Sequence, residues 1–195
     1  MSIGDERRRL AVYCASRLGG RPAFAAAATA VGDHLARRGA DLVYGGAHVG
    51  LMGRVADAAV AGGSHVIGVI TDELGDREIA HEGIHDLRRV MDMPARKRAM
   101  YDEADAFLAL PGGVGTMEEL FEILCWAYLG LHHKPVGLLN VEGYYDHLLA
   151  FLAGSVDEGL CKPSVLGMLA VDTEPVRLVD RLLDDATTAN GGNIG

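Results

Sequence analysis

A chain of 195 residues with 49% hydrophobic and 23% charged residues has the makeup of one folded domain, which excludes disorder over most of its length. Lys plus Arg number 18 against 27 Asp plus Glu; the net charge of −9 excludes a broad nucleic-acid-binding surface but not a small anionic ligand. Cys14, Cys125 and Cys161 form no C-x-x-C pair, no apolar run reaches the ~20 residues of a membrane span, and the charged MSIGDERRRL start lacks an apolar leader core. The expectation is a cytoplasmic protein without a disulfide framework, a metal site or a membrane partner.

In chain order, residues 10–14 read as a short strand. The Ala-rich stretch 23–38 reads as a helix after Pro22, closed by Gly39 with Arg37 and Arg38 in its last turn. A strand at 41–44 runs into Gly45-Gly46, a helix follows at 50–61, and 65–70 is a third strand. The segment 71–83 is polar and without period. Next come a strand at 87–91 and a charged helix opened by Pro94 and running to 103. The strand 106–110 ends in Pro111-Gly112-Gly113, and a helix follows over 117–129 with Met117, Leu120, Phe121, Leu124 and Tyr128 on one stripe; Trp126 near its end reads as packing. A strand at 135–139, a helix at 144–156, a helical turn, a strand at 168–171 and a helix at 174–185 complete the pattern, with 187–195 expected as a disordered tail. Short apolar strands alternating with longer helices predict an α/β fold. It is a single Rossmann-like domain over 1–186, with a mainly parallel sheet flanked by helices on both faces.

In such sheets ligands sit beyond the carboxyl ends of the strands, where two glycine-rich turns fall. The first, Tyr44-Gly45-Gly46 to Gly50-Leu51-Met52-Gly53, would let N–H groups approach an anion, but on its own it reads first as a plain strand-to-helix turn. It holds no G-x-G-x-x-G fingerprint. The second, Pro111-Gly112-Gly113-Val114-Gly115-Thr116-Met117-Glu118-Glu119, places three glycines ahead of a helix, a phosphate cradle by construction. No Lys follows, so it is not a Walker P-loop. Thr116-x-x-Glu119 also spells a capping box, and spacing alone favours that cap over catalysis. Arg96, Lys97 and Arg98 crowd a helix first turn, where the dipole disfavours cations. Arg98 has Asp102 at i+4; Arg96 and Lys97 lack such a partner, and an anionic ligand would relieve them. Neither His132-His133 nor His81 with His85 supplies a three-ligand metal site, and no G-x-S-x-G elbow is present.

Together these segments resemble the LOG (Lonely Guy) family, formerly mislabelled as lysine decarboxylases. Its hallmark P-G-G-x-G-T-x-x-E is met by Pro111 to Glu119, and its M-x-x-R-K by Met93, Arg96 and Lys97. The Tyr44–Gly53 turn and the strand Lys134-Pro135-Val136-Gly137-Leu138-Leu139-Asn140 are similar to the family as well, and the resemblance runs from about Leu10 to Leu183. It implies a Rossmann-like homodimer, without a cofactor, whose partner is a small-molecule nucleoside monophosphate. The implied reaction hydrolyses the N-glycosidic bond of cytokinin riboside 5′-monophosphates, and of AMP, to an adenine-type base and ribose 5-phosphate. By motif position it implies Arg96 and Glu119 as the catalytic pair. Phosphate and ribose fall to Gly45, Gly46, Lys97, Gly112, Gly113, Val114, Gly115 and Thr116, and further nucleotide contacts to Glu78, Met93 and Cys125. Pro94 stands where the family often has His, Ala15 where Cys-Gly-Ser is usual, and Cys125 where Thr is common; these departures bear on base preference. The alternative is a non-catalytic nucleotide-binding or sensing protein of the same fold, with Glu119 acting only as a cap. Decarboxylation would need pyridoxal on a Schiff-base lysine, and none of the few lysines lies in a recognisable pocket motif.

Overall fold

The computed structural model describes residues 7–77 and 80–191. In its first strand, β1 (Arg9–Tyr13), Leu10 and Val12 face one side of the sheet and Ala11 and Tyr13 the other, and all four are buried. A strand covered on both faces reads as a continuous apolar run, the signature of a parallel sheet. The others are β2 (Asp41–Tyr44), β3 (Val66–Thr71), β4 (Asp86–Val90), β5 (Ala106–Ala109), β6 (Val136–Leu139) and β7 (Leu169–Asp172). Their order is β4-β3-β2-β1-β5-β6-β7, and every pairing is parallel.

The helices are α1 (Pro22–Arg37), α2 (Gly50–Gly62), α3 (Asp72–Arg77), α4 (Met93–Glu103), α5 (Val114–Tyr128), α6 (Asp146–Asp157), α7 (Ser164–Gly167) and α8 (Pro175–Gly191). Residues of α1, α2 and α8 pack with Leu10 and Val12; those of α4, α5, α6 and α7 pack with Ala11 and Tyr13. The sheet thus carries helices on both faces, as expected. Packing between α1 and α2 is close because Gly32 has no side chain: a Cβ there would lie 2.4 Å from the Val55 carbonyl. Among the described residues, no helix is long and apolar enough to cross a membrane.

Three elements depart from the sequence reading. The polar segment after β3 contains α3, whose first turn is capped by the Thr71 hydroxyl accepting from the Leu74 N–H at 3.3 Å. Helix α5 begins at Val114, with Gly113 at its N-cap, so the helix starts inside the glycine motif and not after it. Helix α8 runs to Gly191, so 187–191 continue a helix where a tail was expected. Its buried stripe of Leu178, Val179, Leu182, Leu183 and Ala186 carries it, and the Thr187 hydroxyl donates back to the Leu183 carbonyl. Residues 192–195 of the expected tail lie outside the described residues.

Candidate active site

The strand order reverses about β1, because the chain passes through β2, β3 and β4 on one side before returning to β5 on the other. Crevices in parallel sheets form at such a switch point. Here it is a cleft of 430 Å³ lined by residues that follow the strands: Cys14, Ala15, Ser16 and Arg17 after β1, Gly45 after β2, and Gly113, Val114, Gly115 and Thr116 after β5. That volume suits a small molecule.

Arg96 and Glu119 meet at its floor. The Asp92 carboxylate caps α4 by accepting from the Ala95 N–H at 2.8 Å, which offsets part of the cost of cations in that turn. One turn in, the Arg96 guanidinium is buried and donates to the carbonyls of Val69 at 2.9 Å and Gly45 at 3.2 Å. Its Nη1 lies 3.4 Å from Glu119 Oε1. Gly45 makes this possible, since a Cβ there would stand 2.2 Å from Arg96 Nη2. Glu119 sits on the buried face of α5 with Thr116, Leu120 and Ile123. Burial pushes its carboxyl up to about 7, with the Arg96 guanidinium pulling the other way. Burial, with the Glu119 charge adding to it, also raises the Tyr13 hydroxyl and the Cys14 thiol, so both stay protonated near neutral pH. A carboxyl balanced near pH 7 beside a fixed cation, at the bottom of a cleft, is equipped for proton transfer or for facing a cationic intermediate.

The cradle has two kinds of glycine. Gly112 is packed against α5, and a Cβ there would fall 2.0 Å from Thr116 Oγ1; Cβ atoms at Gly113 and Gly115 would meet nothing within 4 Å. Gly112 therefore serves the turn, whereas Gly113 and Gly115 keep the helix start open to the cleft. Behind the turn, the Tyr144 hydroxyl donates to the Gly112 carbonyl and the Tyr145 hydroxyl to the Leu110 carbonyl, each at 2.6 Å.

The structure gathers Arg96, Glu119, Gly45, Met93, Gly113, Val114, Gly115 and Thr116 around one cleft. Thr116 is not an N-cap and Glu119 is not its capping partner; the spacing that spells a capping box falls one turn inside the helix. Lys97 points away, ion-paired with Glu118 and with Glu122, the latter at 3.0 Å. Gly46 adopts a left-handed φ of 77° and packs on β3, outside the cleft lining. Gly112 and the exposed Cys125 are likewise not among the lining residues. Arg98 pairs with Asp102 as the i, i+4 spacing predicts. Glu78 lies outside the described residues. Sequence reasoning missed Ser16, Arg17 and Tyr144; the Pro111–Glu119 motif signals the cradle but not the segments that pack around it.

Residues 52–182 match the protein-family model described as "Possible lysine decarboxylase". The cytokinin riboside 5′-monophosphate phosphoribohydrolase LOG1 of Arabidopsis thaliana is 46% identical over 184 residues, which cover 94% of this chain and 86% of that protein. LOG7 of the same plant, which bears the same enzyme name, is 49% identical over 175 residues, covering 90% and 81%. Among solved structures, the molybdenum cofactor binding protein of the phototrophic bacterium Rippkaea orientalis aligns with a TM-score of 0.68 at 19% identity, over 91% of this chain and 96% of that one, a likeness of fold alone. Near-half identity along nine-tenths of the chain, with the P-G-G-x-G-T-x-x-E and M-x-x-R-K motifs converging on one cleft, makes this protein a member of the LOG family.

Proposed function

We propose that the protein hydrolyses the N-glycosidic bond of cytokinin riboside 5′-monophosphates, and of AMP, to an adenine-type base and ribose 5-phosphate. The observation that carries this reading is the buried Arg96–Glu119 pair, 3.4 Å apart, opening into the same cleft as the Gly113–Thr116 helix start. The names of the relatives at 46% and 49% identity support it.

A phosphate seated on the N–H groups of Gly113 to Thr116 is stabilised by the helix dipole and holds the ribose over Glu119, one turn further along α5. Breaking the bond between C1′ and the base leaves positive charge on the ribose ring. Glu119, as carboxylate, faces that charge and accepts the proton of the water that adds to C1′; the base leaves with the bonding electron pair and takes a proton from solvent, to which Glu119 returns the one it accepted. Arg96 holds Glu119 in place and keeps a negative charge tolerable in a buried position. Binding energy from the phosphate, remote from the reacting carbon, supplies orientation and favours nucleotides over nucleosides.

The protein acts in the cytoplasm as a homodimer in this reading. Leu129, Leu131, Phe151 and Leu160 are exposed, apolar surface of the sort a second copy covers. Incubation with purine and cytokinin monophosphates, followed by chromatography for free base and ribose 5-phosphate, tests the activity. No base from any of them overturns it. Light scattering that returns one chain of 20.6 kDa overturns the dimer.

A further inference from the structure

Among the described residues, one cation lines the cleft with its charge unspent. Arg96 is committed to two carbonyls and to Glu119, and Lys97 to Glu118 and Glu122. Arg17 lines the cleft with Gly113, Val114, Gly115 and Thr116, and also lines the adjoining 280 Å³ hollow beside Gly112 and Tyr144. It is exposed and forms no ion pair with any described residue.

Its backbone, by contrast, is pinned. The Ala15 N–H donates to the Pro111 carbonyl at 3.2 Å, and the Ala15 carbonyl accepts from the Leu51 N–H at 3.0 Å. Gly50, at φ 61°, lets this segment press onto the start of α2: a Cβ there would stand 2.2 Å from the Ser16 carbonyl carbon and 2.3 Å from the Arg17 nitrogen. Segment 15–17 is therefore clamped between the two glycine turns, which fixes the Arg17 backbone where its side chain lines the cleft.

An unpaired guanidinium beside a helix start with open N–H donors suits a dianion. The N–H groups and the dipole meet one side of the phosphate, and a planar fork of donors meets the other. We propose that Arg17 is the specificity residue for the substrate phosphate. It binds the 5′-phosphate over Gly113–Thr116, in the part the family motif assigns to Lys97, and makes the enzyme select nucleoside monophosphates over uncharged nucleosides. The assignment rests on reading the cleft as a phosphoribohydrolase site.

The test compares wild type with Arg17→Ala, Arg17→Lys and Lys97→Ala. Steady-state kinetics use a cytokinin riboside 5′-monophosphate and its riboside, and calorimetry follows the binding of ribose 5-phosphate. Arg17→Ala should raise KM for the monophosphate about 10- to 100-fold, the usual range for a lost charge-assisted hydrogen bond, and change kcat less than about threefold. The monophosphate-to-riboside ratio of kcat/KM should fall by the same factor, and Arg17→Lys should recover part of it, since a point charge lacks the fork. Ribose 5-phosphate should bind more weakly to Arg17→Ala by a similar factor. An unchanged ratio in an active Arg17→Ala enzyme, or a larger loss of selectivity in Lys97→Ala, overturns the assignment and leaves the enzymatic reading standing. A wild type that releases no base yet binds ribose 5-phosphate through Arg17 overturns the enzymatic reading and supports the phosphate role.

Discussion

Arg96 Nη1 lies 3.4 Å from Glu119 Oε1, and the two side chains come from helices that follow different strands, α4 after β4 and α5 after β5. Both are buried, so each depends on the other for compensation. Glu119→Gln keeps the size and removes the charge; kcat should fall about 10²- to 10⁴-fold. Arg96→Ala should cost a comparable factor and the double variant little more, because the pair acts as a unit. Turnover near wild type in Glu119→Gln would remove the carboxylate from the mechanism.

The pH dependence follows from the same carboxyl, which burial holds at about 7 against an ordinary value of 4.5. With the carboxylate as the working form, kcat/KM should rise with pH up to about 7 and then level off. The sign for stability is opposite. Between 4.5 and about 7 the native chain keeps a proton that the unfolded chain has lost, so this contribution is complete below 4.5 and disappears as pH passes through 7. Wild type should therefore melt progressively lower than Glu119→Gln as pH is raised from about 5 to about 8. Parallel melting curves across that range would show that the carboxyl titrates normally.

Gly45→Ala would place a Cβ 2.2 Å from Arg96 Nη2 and force the guanidinium off its two carbonyls. A displacement of about 1 Å in such a group can cost 10²-fold in rate, and kcat should fall by roughly that factor while far-UV circular dichroism is retained. Full activity in Gly45→Ala would mean that Arg96 can work from another position.

At Gly115 the protein itself leaves room for a side chain, so Gly115→Val should fold and melt close to wild type. A phosphate approaching the N–H groups of α5 would meet the added methyls. KM for monophosphates should rise strongly, about tenfold or more, and the monophosphate-to-riboside ratio of kcat/KM should drop with it. Equal losses on both substrates would put the phosphate elsewhere in the cleft.

Tyr144→Phe removes only the hydroxyl that donates to the Gly112 carbonyl and keeps the ring in its edge contacts with Phe24 and Tyr145. The loss of one neutral hydrogen bond should lower stability by about 1 kcal/mol. The turn that presents Gly113 then loosens, so KM for monophosphates should rise about three- to tenfold. A fall in melting temperature without any change in KM would confine Tyr144 to the fold.

The fold was readable because the strands are short apolar runs and the helices carry clear stops, such as Gly63 in the left-handed conformation at the end of α2. The failures at the site share one physical origin. Thr116 and Glu119 have the spacing of a capping box, but the packing of Gly112 against Thr116 starts the helix at Val114 and turns Glu119 inward. Local pattern could not reveal this, since what competes with the cap is Arg96, which arrives from α4. Lys97 and Arg96 are adjacent in sequence and diverge in space: a helix turns about 100° per residue, so one meets Glu119 and the other meets Glu118 and Glu122. Arg17 is silent in the sequence because its meaning comes from Gly50, against which its backbone packs, and from Pro111, which its neighbour Ala15 bonds, both only after folding.

The central place of β1 also bears on how the protein matures. The Arg9 N–H donates to the Asp105 carboxylate, 96 positions along the chain, and Leu10 is in register with Ala106. Closing a loop of that span is slow compared with forming α1 or α2, and the cleft needs the segments after both strands. During synthesis α1 and α2 can pack together while β5 is still inside the ribosome, but the floor of the cleft cannot form. In a refolding time course, far-UV signal should return first and enzymatic activity only with the docking of β5 beside β1. The last pairing about the switch point is the step that creates the enzyme.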